Sequence, residues 1–327
     1  MRTARAQSTG AGPDQRGRSV AASVACWLAV VPGAAWAAVR LGGWERGPLV
    51  QLVAFTPYAA GLSIVPLLAA LALRRWRPAA VAALSTAALV AAVAPRALPG
   101  AAADAGGPRL RVLTANIRHG EADPAALVRL VRDNRVDILA VQELDPAHTA
   151  ALDAAGLAAL LPHRVVDGAD AGLYARLPLT GGGVHEDGFT QAYGTVTPAG
   201  GAPLLIESVH SCAPLTVADV PCWFDGLRAQ PPATPNGPVR LLLGDFNATL
   251  DHAPMRRLLS TGYEDAAANT GHGLTGTWRP VDGFPVPPVA IDHILLDPRL
   301  AVREYAVWPL PGSDHRAVFA EVSLPPA

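Results

Sequence analysis

Hydrophobic and polar positions divide the chain into two unlike halves. Up to about residue 95 the pattern has no short period: Val20–Val39 carries no charge, Val50–Leu73 is a second uncharged run, and Pro78–Pro95 is a third, shorter and rich in Ala. A stretch of about 20 apolar residues spans a hydrocarbon core of about 30 Å. The pattern therefore predicts three membrane spans at 20–39, 50–73 and 78–95, with a signal peptide for the first run and a buried core helix for the third as the alternatives. A signal peptide fits less well, because its apolar region is usually only about 7–15 residues long. After Arg109 short apolar strands end in polar residues and alternate with modest helices. LRVLTANI, VDILAVQEL, AGLYARLPL, PLLIESVH, VRLLLGDFN, VAIDHILLD and HRAVFAEV all read as strands. Asp123-Pro124 is an N-cap followed by a proline at the first helical position, opening a helix that closes near Asn134, and a second helix is expected over Pro254–Ser260. Mixed strands and helices on this scale predict a layered α/β sandwich with sheets in the core. TGGGV, around Gly181–Gly183, reads as a turn.

Charge sharpens the division. Residues 1–110 hold 11 Arg against three acids, and the remainder holds 15 Arg against 24 acids, so balances of about +8 and −9 sit side by side under a formal net charge of −1. There is no Lys, and all nine His lie in the second half. Arg2, Arg5, Arg16 and Arg18 in the tail and the RRWR of Arg74–Arg77 place tail and second loop in the cytoplasm by the positive-inside tendency, which puts everything after Pro95 outside. The expected divisions are a cytoplasmic tail (1–19), a membrane region (20–95), a Pro/Gly/Ala linker (96–108) that keeps the next domain clear of the bilayer, and a catalytic domain (109–327). Cys212 and Cys222, ten apart in one polar loop, read as a disulfide in an oxidising compartment, or else as two unpaired small hydrophobes.

Strand ends in the second half carry chemistry. LLLGDFNATL runs three leucines, apt for a strand buried on both faces, into Asp245, Phe246 and Asn247, and residues two apart on an extended backbone face the same side. Asn116, Glu143, His210, Asp292 and the Ser313-Asp314-His315 triplet occupy comparable positions. Each alone is most simply a turn or cap residue; their joint occurrence is what argues for a site. Oxygen ligands without a Cys or multiple-His cluster favour Mg²⁺ or Mn²⁺, with Glu143 as the main carboxylate and Asn116 and Asp314 beside it. The contiguous SDH is no Ser-His-Asp relay, because adjacent residues cannot reach that geometry and no GxSxG elbow exists.

LTANI, VQE, VH, GDFN, GTW, IDHI and SDH, in that order over Arg109–Glu321, resemble the endonuclease/exonuclease/phosphatase superfamily of DNase I-like nucleases, sphingomyelinases and inositol-phosphate phosphatases. The resemblance covers about two thirds of the chain and implies a four-layer α/β/β/α sandwich. It implies that Glu143 binds the metal with Asn116 nearby, and that Asp314 completes the metal or water network. By the same resemblance Asp245 orients or deprotonates the attacking water and Asn247 holds a phosphate oxygen. His315, aligned by Asp292, contacts the scissile phosphate, and His210 acts as phosphate contact or general acid. His293 should point the opposite way. The pattern departs at Ala175, where the family often has Ser before the Arg, which weakens Arg176. No counterpart is evident for the carboxylate that supports the earlier His in secreted nucleases. The expected activity is Mg²⁺-dependent hydrolysis of a phosphoester on the outer face of the membrane. The substrate is open among nucleic acid, lipid headgroup and small phosphoester, with no obligate protein partner. The alternative is a catalytically silent, membrane-tethered phosphate-binding module. Trp278 in GTW either stacks on a base or sugar or packs a loop.

Overall fold

The computed structural model describes residues 13–100, 104–166, 170–187, 189–280 and 285–327. The expected tail therefore lies largely outside the described residues, as do 101–103 of the expected linker. The described residues form two compact units: those up to 42 with 56–92, and 43–55 with those from 93 onward.

The first unit is helical: α1 (Pro13–Gly42), then, after the excursion of residues 43–55, α3 (Thr56–Leu62), α4 (Ile64–Ala72) and α5 (Trp76–Val93). Small side chains let these helices approach, with Cys26, Ala70 and Ala79 buried together. Trp36 donates its indole N–H to Thr56 Oγ1 at 3.1 Å, and Thr86 Oγ1 donates to the Ser63 carbonyl at 3.2 Å. Among the described residues, Val20–Gly42 and Trp76–Ala97 are long and apolar enough to cross a membrane, and Thr56–Ala72 is a shorter apolar stretch. The second apolar run of the sequence is thus divided. Its first residues, in α2 (Leu49–Val53), belong to the other unit, where Val50 is fully buried beside Trp223 and Leu242.

Among the described residues, the second unit holds twelve strands in two six-stranded mixed sheets. In chain order they are β1 (Arg109–Asn116), β2 (Ile138–Gln142), β3 (His163–Val166), β4 (Ala171–Ala175), β5 (Thr180–Asp187), β6 (Phe189–Val196), β7 (Leu204–His210), β8 (Val239–Asp245), β9 (Glu264–Asp265), β10 (Asp292–Leu296), β11 (Ala301–Pro309) and β12 (Arg316–Ser323). One sheet runs β11-β12-β1-β2-β4-β3 and the other β5-β6-β7-β8-β10-β9. The helices are α6 (Pro124–Asp133), α7 (Pro146–Ala154), α8 (Leu157–Leu160), α9 (Val220–Ala229), α10 (Ala253–Ser260) and α11 (Ala266–Asn269).

Alternation along the strands builds the layers. Leu241 and Leu243 enter a core shared with Val112, Ile138, Ile206 and Val318 between the sheets, while Leu242 faces outward onto Trp223, Leu227 and Met255 of α9 and α10. Leu113, Leu139 and Phe319 face the other way, onto Leu127 and Val131 of α6 and Leu152 of α7. Both faces of each central strand are therefore covered, which explains the uninterrupted apolar runs.

Several expectations need correction. Residues 96–100 and 104–108 are not a free linker. Arg96 makes a buried bidentate ion pair with Asp251 at 2.9 and 2.6 Å, Gly100 N–H donates to Asn269 O, and Gly107 N–H to Leu324 O. TGGGV is not a turn but the start of β5. A register shift between Thr180 and Gly183 needs Gly181 at φ +59°, and a Cβ on Gly182 would sit 2.7 Å from Val165. Cys222 lies in the first turn of α9 rather than in a loop, and is disulfide-bonded to Cys212.

Candidate active site

Strand register brings the polar strand ends together. His210 of β7 is paired with Asp245 of β8, Asp245 in turn with Asp292 of β10, and Asn116 of β1 with Gln142 of β2, one residue before Glu143. Gly244 makes the crossing at Asp245 possible: at φ +156° its Cα faces the neighbouring strand, and a Cβ would collide with the Val209 carbonyl. Buried polar groups lock the sheets behind the site, Thr114 Oγ1 donating to Gln142 Oε1 and Gln142 Nε2 donating to Ser208 Oγ at 3.0 Å. Four residues at the site hold left-handed backbone: Arg118, His119, Glu143 (φ +59°) and Asn247 (φ +48°). Such conformations are uphill for non-glycine residues and persist where the surroundings over-determine them.

Asn116 is the hinge of the carboxylates. Its amide nitrogen donates to Glu143 Oε1 at 2.8 Å and to Asp245 Oδ2 at 3.0 Å, while its carbonyl accepts from the Arg118 N–H. Glu143 Oε2 accepts from the His119 N–H. Burial alone would raise the Glu143 pKa, but the Asn116 bond and the nearby His210 and His119 hold it below the usual range. Asp245 is pushed up to about 6, chiefly by burial and against the pull of His315, with Asp292 adding to the rise.

Two histidines are each held by a carboxylate. His315 Nδ1 lies 3.0 Å from both oxygens of Asp292, whose Oδ2 also accepts from Thr277 Oγ1 at 2.6 Å. Burial opposes a charge on His315, yet Asp292, Asp245 and Asp314 outweigh it and push the ring up to about 10. His210 Nδ1 lies 2.7 Å from Asp170 Oδ2, and there too burial is overcome, so the ring titrates above its ordinary value.

Asp170 is the supporting carboxylate the sequence reading failed to find. Its sequence neighbours carry no sign of the role; it comes from the pairing, since Asp170 immediately precedes β4, whose Ala171 pairs with Gln142, so it falls opposite Glu143, and its carbonyl accepts from Leu144 N–H. Thr277, of the GTW motif, was also overlooked as the group that orients Asp292.

The remaining expected residues are placed as follows. Asn247 donates through its side-chain amide to Ser211 O at 2.9 Å and more weakly to Asp245 at 3.3 Å. Asp314 Oδ2 accepts from Trp278 Nε1 at 3.0 Å, so that indole N–H serves the site wall, and Ser313 Oγ donates to Asn116 O. Arg176 lies at the far end of its strand, where it pairs with Asp137. His293 points to the opposite side, against Asp265.

Ligand atoms of Glu143, Asp245 and His315 lie within 4.8 Å of one another. His315 is held through Nδ1 by Asp292, and its Nε2 lies 3.7 Å from Asp245 Oδ2. The cation-binding character rests on the carboxylates. Glu143, Asp170, Asp245, Asp292 and Asp314 against the two raised histidines leave a net negative site, with Glu143 and Asp245 sharing one amide nitrogen. That donor set fits a hard divalent ion, which needs only one or two carboxylates plus water and phosphate oxygens.

A sequence model of the Endonuclease/Exonuclease/phosphatase family matches residues 113–315, from the middle of β1 to His315. The chain belongs to this family. The solved structure of an endonuclease/exonuclease/phosphatase from Beutenbergia cavernae DSM 12333 superposes with a TM-score of 0.52 at 18% identity, covering 66% of this chain and 72% of that one. A humanized D. rerio TDP2 gives 0.51 at 17% identity over 66% and 99%, and a family member from Bacteroides vulgatus 0.51 at 16% over 66% and 99%. At these identities the likeness speaks for the family's fold. No curated protein is significantly similar in sequence.

Proposed function

We propose that this family member is a divalent-metal-dependent phosphoester hydrolase anchored in a membrane. The observation that carries the reading is the meeting of Glu143, Asp245 and the Asp292-bound His315 within 4.8 Å, from strands far apart in sequence. Glu143 is the principal holder of the ion, Mg²⁺ or Mn²⁺, with Asn116 orienting it and Asp314 at the edge of the same network. When bound there, the ion supplies charge neutralisation on the phosphoryl oxygens.

The protein groups supply the rest. Asp245, with a pKa near 6, takes the proton of the attacking water at neutral pH. His315, kept charged by Asp292, donates to a non-bridging oxygen and stabilises the charge that builds there. Asn247 offers its amide to a second oxygen by exchanging the 3.3 Å bond to Asp245. His210, raised by Asp170, is the acid that protonates the leaving oxygen.

Membrane attachment is supported by the helices Val20–Gly42 and Trp76–Ala97, with Thr56–Ala72, at 17 residues the lower limit of a span, as the third crossing. An outer-face location of the catalytic unit is supported by the cytoplasmic bias of Arg74–Arg77 and by the Cys212–Cys222 disulfide. The test is hydrolysis of an activated phosphodiester by the full chain. Asp245→Ala or His315→Ala should each lower the rate at least ~10²-fold, in line with losing a positioned acid–base or charged group. Unchanged turnover in either variant would remove the proposal.

A further inference from the structure

The cleft that holds the carboxylates and histidines has a volume of about 630 Å³, and its lining includes apolar residues that the hydrolytic groups do not account for. An apolar wall lies in the same cleft, formed by Val50, Ala54, Phe55 and Leu215, while Val289 and Ile291 add apolar surface next to Trp278 and Asp292. This wall is built into the unit. Val50 is fully buried and its carbonyl accepts from His252 across 2.8 Å. Glu45 accepts from the Ala253 N–H at the start of α10, and Gln51 Nε2 donates to Pro214 O at 2.6 Å. Gln51 thereby ties the wall to the loop that the Cys212–Cys222 disulfide closes. Yet the wall is bare at Leu215, which is 79% exposed, a poor arrangement for water alone.

Two further observations indicate what covers it. Phe55 is followed at once by Thr56, where an apolar helical stretch begins, so chain continuity alone holds Phe55 next to a segment read as membrane-embedded. Among the described residues lining the cleft, Arg118 is the only Arg, and the sequence after residue 110 has a balance of −9, which leaves no basic track for a polyanion.

We propose that the substrate is a lipid-type phosphodiester drawn from the bilayer, its phosphate at the Glu143–His315 cluster and its alkyl chain along Val50, Phe55 and Leu215. The inference rests on the hydrolase reading above. The step itself is ordinary hydrolysis: water adds to phosphorus, one P–O bond breaks, Asp245 takes the water proton, and the leaving oxygen departs with a proton from His210.

The test uses the full chain in lipid nanodiscs with Mg²⁺ and a series of alkyl p-nitrophenyl phosphates, methyl to octyl, below their micelle concentrations. Here p-nitrophenolate leaves unprotonated and the alkyl phosphate remains. The expected result is a rise in kcat/KM of about 2- to 4-fold for each added methylene, the range set by partial to full burial of a CH₂. Leu215→Ser, at the exposed lip, should flatten that slope. The octyl ester incorporated in phosphatidylcholine vesicles should be cleaved at least as well as the dispersed monomer, which distinguishes a bilayer source from a free amphiphile. Methyl and octyl esters cleaved equally, or the p-nitrophenyl ester of thymidine 5′-phosphate preferred to octyl, would overturn the lipid assignment and leave the hydrolase reading standing. No cleavage of any ester would remove both.

Discussion

Substituting Asp292 by Asn keeps the shape of the side chain that holds His315 but removes its charge. Both Asp292 oxygens lie 3.0 Å from His315 Nδ1, and the ring is pushed from 6.5 up to about 10 against the opposing effect of burial. At about 1.4 kcal/mol per pH unit, that interval corresponds to a preference for the charged ring of about 5 kcal/mol, shared among Asp292, Asp245 and Asp314. An opposite charge in contact accounts for about 1–3 pH units, so Asp292→Asn should bring the titration of His315 down by roughly that much. The sign for stability follows from linkage. Because the folded value lies above the unfolded one, the contribution is fully present below pH 6.5 and is lost as pH rises through about 10. Two measurements read this out on the full chain: the alkaline limb of the kcat/KM profile for an activated diester, and the histidine resonances of metal-free protein. Wild type should hold its rate to the alkaline side of pH 9, whereas Asp292→Asn, its ring titrating at about 7–9, should decline earlier and at pH 8 be slower by up to about 10-fold, the share of rings that has lost its proton. Melting temperature between pH 6.5 and 10 should fall in wild type and change less in the variant. A His315 that titrates near 6.5 in wild type, or identical alkaline limbs in both proteins, would refute the reasoning.

Other consequences can be checked directly. Asp170→Asn should lower the titration of His210 and reduce turnover most for esters with poor leaving groups, where an acid is needed, and least for nitrophenyl esters; equal losses for both leaving groups would argue against His210 as the acid. Arg96→Ala should destabilise the second unit by about 3–5 kcal/mol in denaturant titrations, because it removes the bidentate partner of the fully buried Asp251, and removing both charges with Arg96→Met and Asp251→Leu should recover much of that loss. A fragment beginning at Arg109 lacks Val50, Glu45 and Arg96, all buried in or bonded to the unit. It should melt well below a chain that keeps residues 43–55 and 93–108.

What could be read from the sequence followed from local rules. Leucine triplets halted by GDFN, the Asp-Pro helix start at residue 123 and polar residues at strand ends depend only on neighbours in the chain, and the structure keeps each of them. Asn116, Glu143, His210, Asp245, Asn247, Asp292, Asp314 and His315 all line or border one cleft, Asn116 and Asp292 by their bonds to residues that do. What escaped depends on partners remote in sequence. Asp170 gains its meaning only from the pairing of β4 with β2. Val50 read as membrane because apolarity records burial and not what does the burying; here it packs beside Trp223. The stretch 96–108 has the composition of a linker, yet a single Arg finding a buried Asp is enough to fix it. TGGGV read as a turn because glycine frees the backbone, and here that freedom serves a bulged strand packed tightly against Val165.

The most direct test of the central claim is cleavage of bis(p-nitrophenyl) phosphate by the full chain as a function of Mg²⁺ or Mn²⁺, with Glu143→Gln alongside. The account predicts saturable dependence on the ion, complete loss with a chelator, recovery when the ion is restored, and a Glu143→Gln protein that needs far more metal for far less rate. Turnover that survives the chelator, or a folded wild-type protein inert at saturating ion, would contradict it.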